Sequence, residues 1–195
     1  MPNARDMPLL SRGEAREALR RYWRALASGR IRLIIAAAAL ASAGLASTLI
    51  SPPRPVLVWN VSPSAPTGLY LLSRGGLLRA GDSVVAWPPI DTRKLAAQRQ
   101  YLPLNVPLVK QVLAVKGDLI CAAGEAVFVN GRFAALRRQQ DGARRPLPSW
   151  TGCRSLKEGE IFLLMPGSAD SFDGRYFGAT HAGDVLGRAR LVWRV

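Results

Sequence analysis

Few side chains in this 195-residue sequence could do acid–base or nucleophilic chemistry. The single histidine, His181, excludes a histidine-rich metal site, and a Ser-His-Asp triad would depend on that one residue. Two cysteines cannot build a four-thiolate zinc site, and the 27 basic residues include only four lysines. The remaining nucleophiles are serine, threonine and cysteine, and the remaining bases are lysine, aspartate and glutamate. We therefore expect neither a metal nor another cofactor.

Lys110 is the lysine whose surroundings favour chemistry. It lies in an apolar run, between Leu108-Val109 and Val112-Leu113. Burial lowers the pKa of an amine, so a lysine in such a strand can be neutral and accept the proton of a serine hydroxyl. The alternative is a structural lysine at a strand edge, whose ammonium group reaches the solvent.

Two further segments are candidates for the same site. Ser64 lies in segment 62–70, where two prolines and a glycine restrict the backbone and can hold a nucleophile at one angle. An ordinary turn entering a strand would explain these residues equally well. In segment 170–178, Asp173 and Arg175 share one face of an extended chain and can brace a site or form a plain loop ion pair.

The elements that must position these segments are predicted to be strands. From residue 56 onward the apolar runs are short and are interrupted by glycine and proline, which is typical of β structure. The last run, 187–195, alternates and predicts a half-buried strand, with these residues on its apolar face: Ala189, Leu191, Trp193 and Val195. One helix is predicted between Asp91 and Leu102, and the arginine-rich segment 137–150 is predicted to be an exposed loop.

The N-terminal part of the chain predicts a membrane anchor. Residues 33–50 carry no charge and would span about 27 Å as a helix. A cleaved signal peptide and a buried core helix are the alternatives. Residues 1–32 hold eight arginines, and segment 11–30 within them predicts a short basic amphipathic helix, either a juxtamembrane segment or a DNA-binding helix. The proline-rich residues 51–55 predict a linker.

The position of the basic flank predicts the topology of the chain. Positive charge before the apolar segment keeps the N-terminus in the cytoplasm, so a domain at 56–195 would lie outside it, in the periplasm of a bacterium. That compartment permits a disulfide between Cys121 and Cys153. The formal net charge of +14 favours acidic partners, and with this topology lipid headgroups fit better than nucleic acid.

The order of these motifs resembles that of the type I signal peptidases, family S26. The resemblance covers roughly residues 31 to 195, and its details are closer to the conjugative transfer peptidases of the TraF branch. After the apolar segment, the motifs that carry it are Ser-x-Pro-x-Gly at 64–68, Tyr-Leu-Pro at 101–103, Lys-x-Val at 110–112, Gly-Asp at 117–118 and Ser-x-Asp-x-Arg-Tyr-x-Gly at 171–178.

The resemblance implies a mainly β, signal-peptidase-like antiparallel domain behind one N-terminal transmembrane helix. It implies a Ser–Lys dyad, with Ser64 as nucleophile and Lys110 as general base. The supporting residues it implies are an oxyanion-hole hydroxyl, a serine that orients the lysine and a bracing ion pair: Ser62, Ser171, Asp173 and Arg175. Lys116 stands where many relatives have proline, but the Lys-x-Val context favours Lys110 as the base.

The function implied by the resemblance is that of a serine endopeptidase anchored in the bacterial inner membrane. It would process a conjugative pilin precursor and, in this branch, join the ends of the pilin into a circle. A general signal peptidase acting on other secreted precursors is one alternative, and a non-enzymatic assembly factor of a secretion channel is another. The partners implied are the precursor peptide, inner-membrane lipid and other components of conjugation or type IV secretion, without nucleic acid.

Overall fold

The computed structural model describes residues 12–26, 29–50 and 55–195 of the chain. The chain forms two units, residues 1–53 and residues 54–195.

The described part of the first unit consists of two helices, α1 (Arg12–Leu26) and α2 (Gly29–Ile50). Alanine and leucine, both good helix formers, dominate α2. An 18-residue window of α2 has a mean hydropathy of 2.1, so this helix is long and apolar enough to cross a membrane. A signal sequence has the same properties. No residue of α2 is buried.

The second unit is mainly β, as the sequence predicts. Its strands and helices of four or more residues, with one two-residue strand, are β1 (Leu57–Asn60), β2 (Gly68–Ser73), β3 (Ser83–Ala86), α3 (Ile90–Gln98), β4 (Leu108–Ala114), β5 (Leu119–Ala123), β6 (Ala126–Val129), β7 (Arg132–Leu136), β8 (Gly152–Ser155), β9 (Glu160–Leu164), α4 (Gly174–Phe177), β10 (Thr180–His181) and β11 (Val185–Arg194).

Two antiparallel sheets contain these strands. The larger has the order β1-β2-β11-β3-β4-β9-β10, and the smaller has the order β7-β6-β5-β8. Every neighbouring pair runs antiparallel. One apolar cluster joins the two sheets, since Phe162 and Leu164 of β9 pack with Ile120 of β5 and Val127 of β6. The predicted fold class, an antiparallel β domain behind one apolar N-terminal helix, is thereby confirmed.

The smaller sheet contains a disulfide. Cys121 of β5 and Cys153 of β8 lie directly opposite each other in register and are bonded. The bond joins β8, an edge strand of this sheet, to its neighbour, and it closes a loop that contains the arginine-rich segment 137–150. The disulfide expected from the sequence is therefore present.

Two sequence expectations differ from the structure at the ends of elements. The alternation predicted along 187–195 is interrupted, because β11 changes register between Leu191 and Trp193. Beyond that bulge Trp193 is 64% exposed, so it does not continue the buried face. The helix predicted over 91–102 ends at Gln98, and the N–H groups of Tyr101 and Leu102 bond to the Ala96 carbonyl instead.

Candidate active site

Ser64 lies in the turn between β1 and β2, and Asn60 at the end of β1 sets the shape of this turn. The Asn60 side chain is buried, and its Nδ2 donates to the carbonyls of Ser62, Ala65 and Pro66 at 3.0, 3.2 and 3.1 Å. Its Oδ1 accepts a hydrogen bond from the Ser62 N–H at 3.1 Å. An asparagine that bonds the backbone two residues on is a common turn-forming device. Sequence reasoning missed this role, although an asparagine before a Ser- and Pro-rich segment is the signal for it.

The turn ends where the chain enters β2 at Gly68. The φ of Gly68 is +142°, and a Cβ at this position would lie 2.0 Å from the carbonyl oxygen of Trp193 on β11. Only glycine permits so close an approach of two strands. The glycine of the Ser-x-Pro-x-Gly motif therefore fixes how the turn that carries Ser64 joins the sheet.

The Lys110 amine lies between two serine hydroxyls in the interior of the second unit. Its Nζ donates to Ser64 Oγ at 2.9 Å and to Ser171 Oγ at 2.7 Å. Lys110 is 2% exposed and Ser171 is fully buried. The sheet causes this burial, because β4 is an interior strand between β3 and β9 and pairs Lys110 with Val84.

The interior position changes the acidity of this amine. Desolvation by burial lowers the pKa of Lys110 from 10.5 to about 8, since it disfavours the ammonium form. The Asp173 carboxylate opposes the decrease of this pKa, and the Arg175 guanidinium adds to it. A substantial fraction of the amine is consequently neutral at mildly alkaline pH. A neutral amine in contact with a serine hydroxyl is chemically able to take its proton.

A third hydroxyl stands beside this pair. Ser62 Oγ is 3.0 Å from Ser64 Oγ, and either oxygen can be the donor of the hydrogen bond. A hydroxyl at this distance is able to donate to an oxygen that gains negative charge next to Ser64. The structure thus joins four of the predicted site residues in one chain of hydrogen bonds: Ser62, Ser64, Lys110 and Ser171.

The other two predicted residues, Asp173 and Arg175, do not join this series of hydrogen bonds and form a buried ion pair with each other. Arg175 Nε donates to Asp173 Oδ1 at 2.8 Å and Nη2 donates to Oδ2 at 3.1 Å, with side-chain exposures of 1% and 0%. The remaining guanidinium donors bond to the carbonyls of Leu136, Ala169 and Met165. Because its carboxylate oxygens accept from Arg175 and from backbone N–H groups, Asp173 acts on Lys110 through its charge.

This pair holds the loop that carries Ser171. Arg175 bonds to the last carbonyl of β7 and to the residue after β9, and Asp173 caps α4 by accepting from the Arg175 N–H. The loop between β9 and α4 is therefore fixed at both ends. A plain loop ion pair, the alternative left open by the sequence, would be exposed and would not bond to three carbonyls.

Ser64 and Lys110 line a cavity of about 740 Å³. Its size is within the range of small-molecule and peptide sites in proteins. Most of the wall away from the two reactive groups is apolar, and examples of the residues that form it are Pro88, Ala96, Leu102, Val106, Leu108 and Leu147. Segment 137–150 provides part of this wall, so its description as an exposed loop is incomplete.

Hydrogen bonds link the segment after α3 to segment 137–150, and these two segments form the outer wall of the cavity. The Tyr101 hydroxyl, just after α3, donates to Asp141 Oδ2, and Arg145 Nε donates to the same oxygen at 2.7 Å. Arg99 Nη1 donates to the Pro146 carbonyl at 2.8 Å. Burial raises the pKa of Asp141, but the hydrogen bonds from Tyr101, from Arg145 and from backbone N–H groups outweigh it and leave the pKa below its ordinary value. Sequence reasoning missed the contact, because only Tyr101 belongs to a recognisable motif.

The remaining predicted residues lie outside the cavity. Lys116 is paired with Glu158 at a position where its side chain is 66% exposed, so it is not a second buried lysine. Cys121 and Cys153 lie in the smaller sheet and do not line the cavity. Within residues 12–26, 29–50 and 55–195, no cluster of three His, Cys, Asp or Glu side chains is arranged to hold a metal ion.

Comparison with known proteins relates this chain to one family. The family model described as "Signal peptidase, peptidase S26" matches residues 28–194. A plasmid transfer protein TraF from Escherichia coli is 31% identical over 135 residues, which cover 65% of this chain and 76% of that protein. A probable conjugal transfer protein TraF from Sinorhizobium fredii is 34% identical over 146 residues, covering 68% and 74%. A signal peptidase I structure from Enterococcus faecalis aligns with a TM-score of 0.34 and 16% identity, covering 58% of this chain and 97% of that one.

Proposed function

We propose, since the chain belongs to the signal peptidase family S26, that it is a membrane-anchored serine peptidase with Ser64 as nucleophile and Lys110 as general base. The observation that carries this proposal is the 2.9 Å hydrogen bond between Lys110 Nζ and Ser64 Oγ. The lysine is 2% exposed and its pKa is lowered to about 8. A lysine in water would be almost fully protonated at neutral pH and unable to act as a base.

The chemistry follows from the order of the hydrogen bonds. Neutral Lys110 accepts the proton of Ser64 while Ser64 Oγ forms a bond to the carbonyl carbon of a peptide, whose oxygen becomes an oxyanion. The protonated amine then gives this proton to the leaving nitrogen as the C–N bond breaks, which leaves an acyl-enzyme. Either water or a free amino group of the substrate next attacks the ester carbonyl and gives a proton to Lys110. As the ester C–O bond breaks, Lys110 returns this proton to Ser64 Oγ, which restores the free serine and the neutral amine.

The neighbouring residues support these steps. The Ser62 hydroxyl and the backbone N–H of Ser64 stabilise the oxyanion. Ser171 holds the amine of Lys110 in line with Ser64, at 2.7 Å from Nζ. Asp173 and Arg175 hold the loop that carries Ser171, as their buried hydrogen bonds support. Ser62, Ser171, Asp173 and Arg175 thus position or stabilise the reacting groups. Of these four, only Ser62 and Ser171 contact Ser64 or Lys110 directly.

The relatives named for plasmid transfer and conjugal transfer support a role in conjugation. The substrate we propose is a pilin precursor, which meets the enzyme at the inner membrane. In this arrangement residues 1–32 are cytoplasmic, 33–50 span the membrane, 51–55 form a linker and 56–195 form the periplasmic peptidase domain. Attack by the amino group of the same pilin on the acyl-enzyme would close the pilin into a circle.

Intact mass of a candidate pilin tests the proposal. The pilin is co-expressed with the wild-type chain, with Ser64→Ala, or with Ser155→Ala as a matched control on the exposed strand β8. We expect a trimmed pilin with the wild type and with Ser155→Ala, and an unprocessed precursor with Ser64→Ala.

The mass of the product also separates the two fates of the acyl-enzyme. A trimmed product one water lighter than the linear peptide indicates ring closure, and a linear product indicates hydrolysis. Identical processing by wild type and Ser64→Ala would remove Ser64 as the nucleophile. An unchanged precursor in every strain, together with normal conjugation by the Ser64→Ala strain, would favour the non-enzymatic assembly factor.

A further inference from the structure

Helix α1 has a feature that the peptidase chemistry does not use. The family match begins at residue 28, so α1 lies outside the part of the chain shared with the S26 family. At about 100° per residue, the apolar residues between positions 13 and 24 fall within an arc of about 140°. These residues are Ala15, Ala18, Leu19, Tyr22 and Trp23. A continuous apolar face on a helix of this length is normally in contact with other protein or with lipid.

This apolar face is exposed in the structure. Leu19, Tyr22 and Trp23 are 60%, 60% and 62% exposed, and the rings of Tyr22 and Trp23 contact each other edge to face, 6.1 Å apart. Two adjacent aromatic rings with polar edges are the side chains that concentrate at the boundary between lipid and water.

The opposite face of α1 is basic. Its arginines are Arg16, Arg20, Arg21 and Arg24, and they are exposed. Glu17 forms an ion pair with Arg21 at 3.8 Å. On the helix, Arg16 lies next to Trp23 at one border of the apolar face, where its long side chain can reach lipid phosphates while the rings are in the lipid. An apolar face opposite a mainly basic face is complementary to a membrane surface that carries anionic headgroups.

The length of chain between the two helices limits how far α1 lies from the membrane. Only residues 27 and 28 separate α1 from α2, and two residues span at most about 7 Å. Arg30 and Arg32 follow at the start of α2, so positive charge continues up to the first apolar turn. If α2 spans the membrane, no residue of α1 can lie farther from the membrane surface than about the length of α1 plus the short stretch that joins it to the apolar segment.

We propose that α1 lies along the cytoplasmic surface of the membrane, with Leu19, Tyr22 and Trp23 inserted among the lipids and its arginines bound to anionic headgroups. This inference rests on the membrane anchor of the proposed function and is independent of the chemistry at Ser64. A DNA-binding helix, the alternative left open by the sequence, would use the arginines but would leave the apolar face uncovered.

Introduced thiols in the full chain test the inference. Cys121 and Cys153 are bonded to each other, so a single new cysteine is the only free thiol. Leu19→Cys places it on the apolar face and Glu17→Cys places it on the opposite face, as the matched control. Each variant is inserted singly into lipid nanodiscs, whose two surfaces are both open to a water-soluble maleimide. One set of discs contains phosphatidylglycerol with phosphatidylethanolamine, and the other contains phosphatidylcholine alone.

We expect maleimide to modify Leu19→Cys about tenfold more slowly than Glu17→Cys in the anionic discs, and a smaller ratio in the neutral discs. Equal rates for both thiols in anionic discs would overturn the inference, and so would the same ratio in both lipids. Protection that requires two chains per disc, or that appears only with duplex DNA, would also overturn it. A chain that does not enter the discs would contradict the anchor itself, and the Ser64→Ala mass comparison would still stand.

Discussion

The pH dependence of catalysis is a direct consequence of the buried amine of Lys110. The lysine acts as a base only in its neutral form, so kcat/KM should follow the neutral fraction of a group with a pKa of about 8. That fraction is about 9% at pH 7 and about 91% at pH 9 for this pKa. The rate should therefore increase about tenfold per pH unit below about pH 7, less steeply between pH 7 and pH 9, and become constant above about pH 9.

The assay is cleavage of a fluorogenic peptide that spans the processed bond, with kcat/KM measured from about pH 6 to about pH 10. Two lysine variants serve as controls. Lys110→Arg keeps the positive charge but cannot become neutral in this range, so it should be inactive at every pH. Lys116→Arg changes an exposed lysine outside the cavity and should leave both the rate and the profile unchanged.

Two outcomes would refute the reasoning. A rate that is flat between pH 6 and pH 9 would mean that no group with this pKa controls the reaction. A rate that still increases tenfold per unit above about pH 9 would mean that Lys110 titrates near its ordinary pKa, so that burial does not make it a base.

Three further predictions follow from the same contacts. Because the folded-state pKa of Lys110 is lowered from 10.5 to about 8, its burial costs about 3 kcal/mol below pH 8, and this cost disappears as the pH rises toward 10.5. Lys110→Met should thus be inactive but more stable to urea at pH 7 by about 1 kcal/mol, because the loss of two hydrogen bonds offsets about 2 kcal/mol of the gain. An advantage that persists at pH 10.5 would contradict this. Ser171→Ala removes the 2.7 Å contact to Nζ and should lower kcat roughly 10- to 100-fold with little change in KM, so an unchanged kcat in steady-state assays would exclude its orienting role. Tyr101→Phe removes a donor to Asp141 and should raise KM several-fold with kcat nearly unchanged, whereas a fall in kcat alone would show that the contact serves the chemical step.

The sequence predicts the central part of the site because its signals are local. Apolar neighbours on both sides of Lys110 indicate a buried amine, and prolines around Ser64 indicate a rigid turn. The short apolar runs and the Asn130-Gly131 turn, whose φ values are 50° and 75°, likewise indicate antiparallel hairpins. These features depend on residues within a few positions of one another.

The outer wall of the cavity could not be predicted in the same way. Tyr101 and Asp141 are 40 residues apart, and neither has a neighbour that marks it as a partner of the other. The arginines of segment 137–150 resemble those of a solvated loop, although Arg137 is buried and bonds to the carbonyls of Gly124 and Trp150. Such contacts appear only when tertiary packing has brought distant segments together.

The Arg175 guanidinium has a consequence for how proteins of this kind can diverge. It bonds to Leu136, the last residue of β7 in the smaller sheet, and to Met165, which follows β9 in the larger sheet. A substitution that moves one of these strands must be compensated at the other, or a buried charge loses its partners. Within segment 137–150, which lies between β7 and β8, the exposed residues 142–144 do not contact this joint and can change in number without disturbing it. We expect descendants of this gene to acquire new substrate ranges through insertions there, while the joint between the sheets stays the same.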